Sequence, residues 1–257
     1  MTHPLDNPAL SSLTGAHARF AERRGNVLRY QVDVCPFLAM PDEPNESDWV
    51  DAAGLVGSGG LVPLAGLRVP PPDGWEVIEI GEGVQMTGDG LEVAADPEAV
   101  PLGRADVAEM LDLTARAKPG PFLPRTFELG TYLGIRRDGR LVAMAGERLR
   151  PDGWAEISAV CTDESWRGHG FGTRLIRAVG AVIRARGDIP FLHAVATNPA
   201  IGLYEQLGFR HRRAAYFAAA RVPDAEVPQA LVPQALVPPA LVPQAMVPQA
   251  QQPGSTT

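Results

Sequence analysis

The stretch that most constrains this chain is Glu156 to Arg186, EISAVCTDESWRGHGFGTRLIRAVGAVIRAR. Glu156 to Thr162 is rich in β-branched and small residues and reads as a strand. Asp163-Glu164-Ser165 ends it, and an arginine–glycine turn follows, Arg167-Gly168-His169-Gly170-Phe171-Gly172. Phe171, Leu175, Val179, Val182 and Ile183 then recur at helical spacing, with Arg174, Arg177 and Arg184 on the other face. Gly187 suits the residue just past the helix end, and Arg184 and Arg186 favour the negative pole of its dipole.

A three-glycine turn at the start of a helix has a physical use. The first-turn N–H groups have no intrahelical acceptor. Glycines let an anion reach them without interference from Cβ, and Arg167 adds a charge-assisted donor. The ligand this stretch predicts is a phosphate or pyrophosphate. The chain has no G-x-x-x-x-G-K-[ST], and its G-x-G-x-G spacing differs from the dinucleotide fingerprint G-x-G-x-x-G.

The pattern R-x-x-G-x-G after a strand resembles the GNAT superfamily of N-acetyltransferases. The resemblance continues downstream. Phe191 to Ala196 reads as the next strand, and Asn198 to Phe209 carries the family's L-Y-x-x-L-G-F ending. It implies an α/β fold with a mixed, mostly antiparallel sheet flanked by helices, and acetyl-CoA as cosubstrate. It further implies that Arg167, Gly168, His169, Gly170, Gly172 and Thr173 hold the pyrophosphate, His169 through its backbone N–H. Strand backbone around Val160 and Thr162 would face the acetyl group and pantetheine. Tyr204 falls at the place of a proton-donating tyrosine, with a packed, satisfied tyrosine as its alternative. Glu156 lies near the strand start, where several relatives carry a base; a salt-bridged strand-end glutamate is the other reading. His193 reads as a core histidine. Many relatives have N-x-x-A-x-x-L-Y, whereas here Thr197 takes the usual asparagine place and Asn198 follows it, which leaves the pantetheine contact to Asn198 or to the neighbouring backbone.

The rest of the chain divides by composition. Residues 1–100 carry a net charge of −11, and residues 101–222 one of +6. A basic second half suits an anionic cosubstrate. Lys/Arg runs with interleaved aromatics are missing, which argues against nucleic acid. No basic stretch followed by an apolar run opens the chain, and the uncharged run from Ala52 to Leu67, interrupted by Pro63 and several glycines, is short of a membrane span. These features predict a cytoplasmic protein, and 22 arginines against Lys118 read as the codon bias of a GC-rich bacterium. Cys35 and Cys161 give no disulfide framework and read as buried small hydrophobes.

The organisation expected is an accessory α/β region over 1–99, an acetyltransferase domain over 100–222 and a disordered tail over 223–257. In the first region, Pro8 to Arg24 has a helical pattern, Val27 to Leu38 suggests strand pieces, and Ser47 suits a helix cap. Leu61 to Leu64, Trp75 to Ile80 and Val84 to Thr87 suggest short strands. Such a half resembles that of the glycine N-acyltransferase-like branch. In the second, Asp106 to Ala115 is an amphipathic helix, and Asp138-Gly139 joins two strands as a hairpin. The tail repeats VPQAL-type pentapeptides from Val227, and proline at every fifth residue disfavours helix and sheet. A partner-docking motif is the alternative for the tail.

The function expected is acetyl transfer from acetyl-CoA to a primary amine, on a small molecule or a peptide, by direct attack in a ternary complex. No metal, nucleic acid or membrane is implied, and the protein is expected as a monomer or homodimer. A catalytically degenerate CoA-binding sensor or interaction module is the competing reading.

Overall fold

The computed structural model describes residues 3–64 and 70–224. The pentapeptide repeats of the tail lie outside the described residues.

The chain opens with α1 (Pro8–Thr14), capped by the Asn7 side chain, which accepts from the Leu10 N–H. A single turn at Ala18–Phe20 leads into the hairpin β1 (Ala21–Arg24) and β2 (Val27–Tyr30), with β3 (Leu38–Ala39) beside β2. The helical pattern read over Pro8 to Arg24 therefore stops at Thr14. Gly15 follows it, and Ala21–Arg24 instead pairs across the Gly25-Asn26 turn with β2. Helix α2 (Glu46–Val56) is capped by Asn45 rather than by Ser47. Asn45 Oδ1 accepts from the N–H groups of Ser47 and Asp48, and Asp48 Oδ2 accepts from the Asn45 N–H. This reciprocal box satisfies several first-turn donors, which a serine one residue further on does not do.

The main sheet has eight strands in the order β4-β11-β5-β10-β9-β8-β7-β6. They are β4 (Leu61–Pro63), β5 (Glu76–Thr87), β6 (Val100–Leu102), β7 (Tyr132–Arg137), β8 (Arg140–Glu147), β9 (Trp154–Thr162), β10 (Ile189–Val195) and β11 (Arg210–Arg221). Every described pairing in it is antiparallel except β9 with β10. The two stretches read as separate strands at 75–80 and 84–87 are one strand, β5. Gly81 (φ +136°) lets it continue, and a register shift between Phe217 and Ala218 in β11 absorbs the irregularity. β5 lies between β10 and β11, so the centre of the sheet takes strands from both sides of residue 100.

Helices cover both faces. Helix α4 (Phe171–Ala185) buries Leu175, Ile176, Val179 and Ile183 against Ile135, Val142, Ala155, Ile157 and Leu192. It ends as the sequence suggests, with Gly187 at φ +89° just past Arg186. The short α5 (Ile201–Gln206) adds Leu203 and Tyr204 to this core. Helix α3 (Val107–Ala117) sets Met110 and Leu113 against Met144, Ala159 and Cys161 in a second cluster. The N-terminal segment forms a third with Leu5, Leu13, Phe20 and Tyr30, closed by Leu129, Leu149 and Phe191.

Candidate functional site

Two departures from regular sheet geometry build the site. The first is a bulge in β9. Met144 pairs with Cys161 and Gly146 with Ser158, so Ala159 and Val160 together stand opposite Ala145. Ala159 carries φ +53°, a left-handed conformation that residues with a Cβ seldom adopt. A bulge leaves one residue outside the ladder and turns side chains over. Ile157 therefore packs on the α4 side, while Ala159 and Cys161 pack on the α3 side.

The second departure is that the parallel pair comes apart. β9 and β10 are joined only through Trp154–Ile189, Ala155–Pro190 and Glu156–Phe191. Beyond that level β9 runs on to Thr162 and β10 to Val195 without pairing to each other. Strand backbone facing such a gap has donors and acceptors to satisfy, and a ligand can satisfy them.

The loop from Arg167 to Thr173 follows β9 after a single turn at Glu164–Trp166. Gly168 (φ +82°) and Gly170 (φ +74°) are left-handed, and a Cβ added at either would meet nothing within 4 Å. The N–H groups of Gly168, His169, Gly170, Phe171, Gly172 and Thr173 have no acceptor among the described residues. A Cβ on Gly172 would lie 3.8 Å from Val160 Cγ1, so the loop abuts the bulge. The His169 ring turns back, with Nδ1 3.1 Å from the carbonyls of Trp166 and Arg167. Arg167 is exposed and has no ion pair among the described residues. It borders a depression of about 660 Å³ shared with Lys118 and Asp163. Thr162 closes the strand and Thr173 stands in the first turn of α4, both half-buried. Open space, unpaired donors and nearby cations suit a pyrophosphate.

Tyr204 packs edge-on to Phe209 with ring centroids 6.1 Å apart. Its hydroxyl has no hydrogen-bond partner among the described residues, and burial raises its pKa, so it keeps its proton at neutral pH. Asn198 is committed in part, since its Oδ1 accepts from the Ala200 N–H at 2.9 Å at the entrance to α5.

Glu156 has no exposed surface. Burial pushes its carboxyl up, but the charge and hydrogen bonds of Arg148, joined by His193, outweigh this and hold it well below the carboxylate range. Arg148 donates to Oε2 at 2.9 Å and to Oε1 at 2.7 Å, and His193 Nδ1 lies 2.8 Å from Oε1. As a direct base for a substrate, the role weighed for it from sequence, Glu156 is thus out of reach; it is a buried salt-bridged carboxylate. His193, read as a core histidine, is instead half-buried and lines a cavity of about 580 Å³ on the opposite face of the sheet from α4. One signal for it existed in the sequence: Glu156 and His193 are polar residues inside otherwise apolar strands. The cysteines fit their reading, with both thiols pushed up to about 12 by burial.

The chain is similar to several known proteins. The family model described as FR47-like protein matches residues 132–218. A solved structure from Novosphingobium aromaticivorans, of a protein assigned to the GNAT family of acetyltransferases, is 41% identical with a TM-score of 0.78. The match covers 87% of this chain and 100% of that one. A GCN5-related N-acetyltransferase from Kribbella flavida shares the fold at 19% identity and a TM-score of 0.57, over 85% of this chain and 96% of its own. No curated protein matches.

Proposed function

The chain belongs to the GNAT family of acetyltransferases, and from that premise we propose that it moves an acetyl group from acetyl-CoA to a primary amine by direct attack in a ternary complex. The observation that carries this reading is the run of unpartnered N–H groups from Gly168 to Thr173, abutting the bulge at Ala159–Val160. These groups and Arg167 would hold the pyrophosphate. The opened stretch of β9 from Val160 to Thr162 would take the pantetheine arm and the thioester, with a strand N–H near Val160 as donor to the developing oxyanion. Lys118, beside Arg167, would favour the cosubstrate's remaining phosphate.

The attacking nitrogen forms a bond to the thioester carbonyl carbon, giving a tetrahedral oxyanion. As that intermediate collapses, the C–S bond breaks and the departing sulfur takes a proton. Tyr204 is the donor here, because it is protonated, unpartnered and close behind β10 in the α5 motif. The nitrogen gives up its second proton in the same collapse, which restores the tyrosine directly or through water.

Calorimetry with acetyl-CoA tests the cosubstrate site. Gly170→Glu puts a carboxylate into the open space above the loop and should lower affinity at least 100-fold in a folded protein; undiminished affinity would remove the assignment. A sensor without catalysis would bind acetyl-CoA but release no thiol when amines are added.

A further inference from the structure

The cavity of about 580 Å³ lies between the N-terminal segment and the sheet, with Leu5, Phe37, Met40, Gln85, His193 and Phe217 among its lining. Its size is that of a small-molecule pocket. We propose that this cavity is the acceptor site, that His193 Nε2 takes the proton from the incoming ammonium, and that the acceptor is a primary amine on an apolar body without an anionic group. The proposal rests on the acetyl-transfer reading above.

The hydrogen bonds fix the tautomer. An ionised carboxylate only accepts, so His193 Nδ1 must donate to Glu156 Oε1. Gln85 Oε1 accepts from Arg212, and Gln85 Nε2 donates to the Leu5 carbonyl at 2.8 Å. The amide nitrogen therefore faces His193 Nε2, 3.0 Å away, and donates to it. These contacts place the ring proton on Nδ1 and the lone pair on Nε2, toward the cavity. An arriving ammonium is a charged donor, roughly twice as strong as a neutral amide N–H, and displaces Gln85 from that lone pair. Glu156 is a positioning residue: it orients the ring and stabilises the imidazolium, and Arg148 holds it ionised.

The sheet register puts this base beside the thioester site. Glu156 pairs with Phe191, an offset of 35, and the same offset sets His193 level with Ser158. That is one residue before the bulge at Ala159, so about 3–7 Å measured along the strand direction, with the width of the opening in addition, lies between the level of the base and the backbone donors. The ammonium loses one proton to Nε2, its freed lone pair attacks the carbonyl carbon, and the imidazolium later gives the proton to solvent.

Charge defines the acceptor class. The two arginines that line the cavity are both spent, Arg148 on Glu156 and Arg213 on Asp6 at 3.1 Å. Asp6 is also taken by Arg212. Glu82, another lining residue, has no ion pair among the described residues. A carboxylate or phosphate on the acceptor would find no unpaired arginine there, whereas an ammonium meets a carboxylate and a base. Apolar side chains make up most of the remaining wall, so arylalkylamines and alkylamines fit better than amino acids or polyamines.

The test is thiol release by the full-length protein with acetyl-CoA and 2-phenylethylamine, hexylamine, spermidine, phenylalanine and a short peptide. The first two should turn over with kcat/KM at least tenfold above the others; a preference for phenylalanine, spermidine or the peptide would overturn the acceptor class. If no amine releases thiol while acetyl-CoA binds, the underlying acetyl-transfer reading fails instead. His193→Ala should lower kcat by about 10²–10⁴ with acetyl-CoA affinity unchanged, and added imidazole should restore part of the rate. His193→Gln, closer in volume, should be equally slow without rescue. Wild-type turnover in either folded variant overturns the base. Should neither fold, ¹⁵N NMR of the wild type decides: a proton on Nδ1 alone is expected, and a proton on Nε2 contradicts the proposal.

Discussion

His193 Nδ1 lies 2.8 Å from Glu156 Oε1, across the one parallel strand pair in the eight-stranded sheet of the described residues. The bond sits where that pair stops hydrogen bonding, so a buried ion pair and a histidine stand at the head of the opening. Arg148 behind Glu156 and Gln85 beside His193 extend the chain of contacts to Arg212 and Asp6. The N-terminal segment is thereby tied to the point where the two strands part.

Tyr204→Phe removes one hydroxyl that has no hydrogen-bond partner among the described residues. Acetyl-CoA affinity and melting temperature should stay near wild type, while kcat falls by about 10²–10⁴, the usual worth of a positioned general acid. Stopped-flow or steady-state thiol release checks the rate. An unchanged kcat would make Tyr204 a packing residue and water the proton donor.

Ala159 holds φ +53°, and a β-branched side chain tolerates that conformation poorly. Ala159→Val should cost about 1–3 kcal/mol in urea unfolding and weaken acetyl-CoA binding, because the bulge must flatten or strain. Ala159→Gly should keep both properties. A Val variant as stable as wild type would show that the bulge does not depend on this residue.

His17 gives a pH dependence of stability. Burial pushes its imidazole down to about 4, and its nitrogens are bonded to the Tyr30 hydroxyl at 2.9 Å and the Leu129 carbonyl at 3.0 Å. The folded value lies below the unfolded one, near 6.5, so the unfolded chain takes the proton first. Stability from this group is complete above about pH 6.5 and is lost as pH falls toward 4, by roughly 1.4 kcal/mol per unit, or about 3 kcal/mol in all. Urea titrations at pH 7, 6 and 5 should show this slope in the wild type and a shallower one in His17→Gln. Equal slopes would remove His17 as the cause.

The parts legible in the sequence were those coded locally. Phe171 to Ile183 carries its own helical period, Gly187 its own stop, and Asp138-Gly139 its own hairpin. The glycine loop proposed to hold the pyrophosphate was legible for the same reason, since consecutive N–H groups need only consecutive residues. What stayed hidden depends on distant partners. β5 lies between β10 and β11 only because residues more than a hundred positions away complete its ladder. The bulge at Ala159 is a mismatch between two strands, not a property of one. Glu156 looked equally like a base and a salt bridge until Arg148 and His193 were brought to it, and His193 looked like core until the cavity opened beside it.

The most direct test of the central claim is the appearance of free CoA thiol when an arylalkylamine is added to the full-length protein and acetyl-CoA, with the product weighed by mass spectrometry. The account predicts one thiol released per acetyl group gained by the amine. It also predicts that the signal is lost in Gly170→Glu and is at least 100-fold slower in Tyr204→Phe. Tight acetyl-CoA binding with no thiol release from any amine, or release at the same rate without the acceptor, would contradict it.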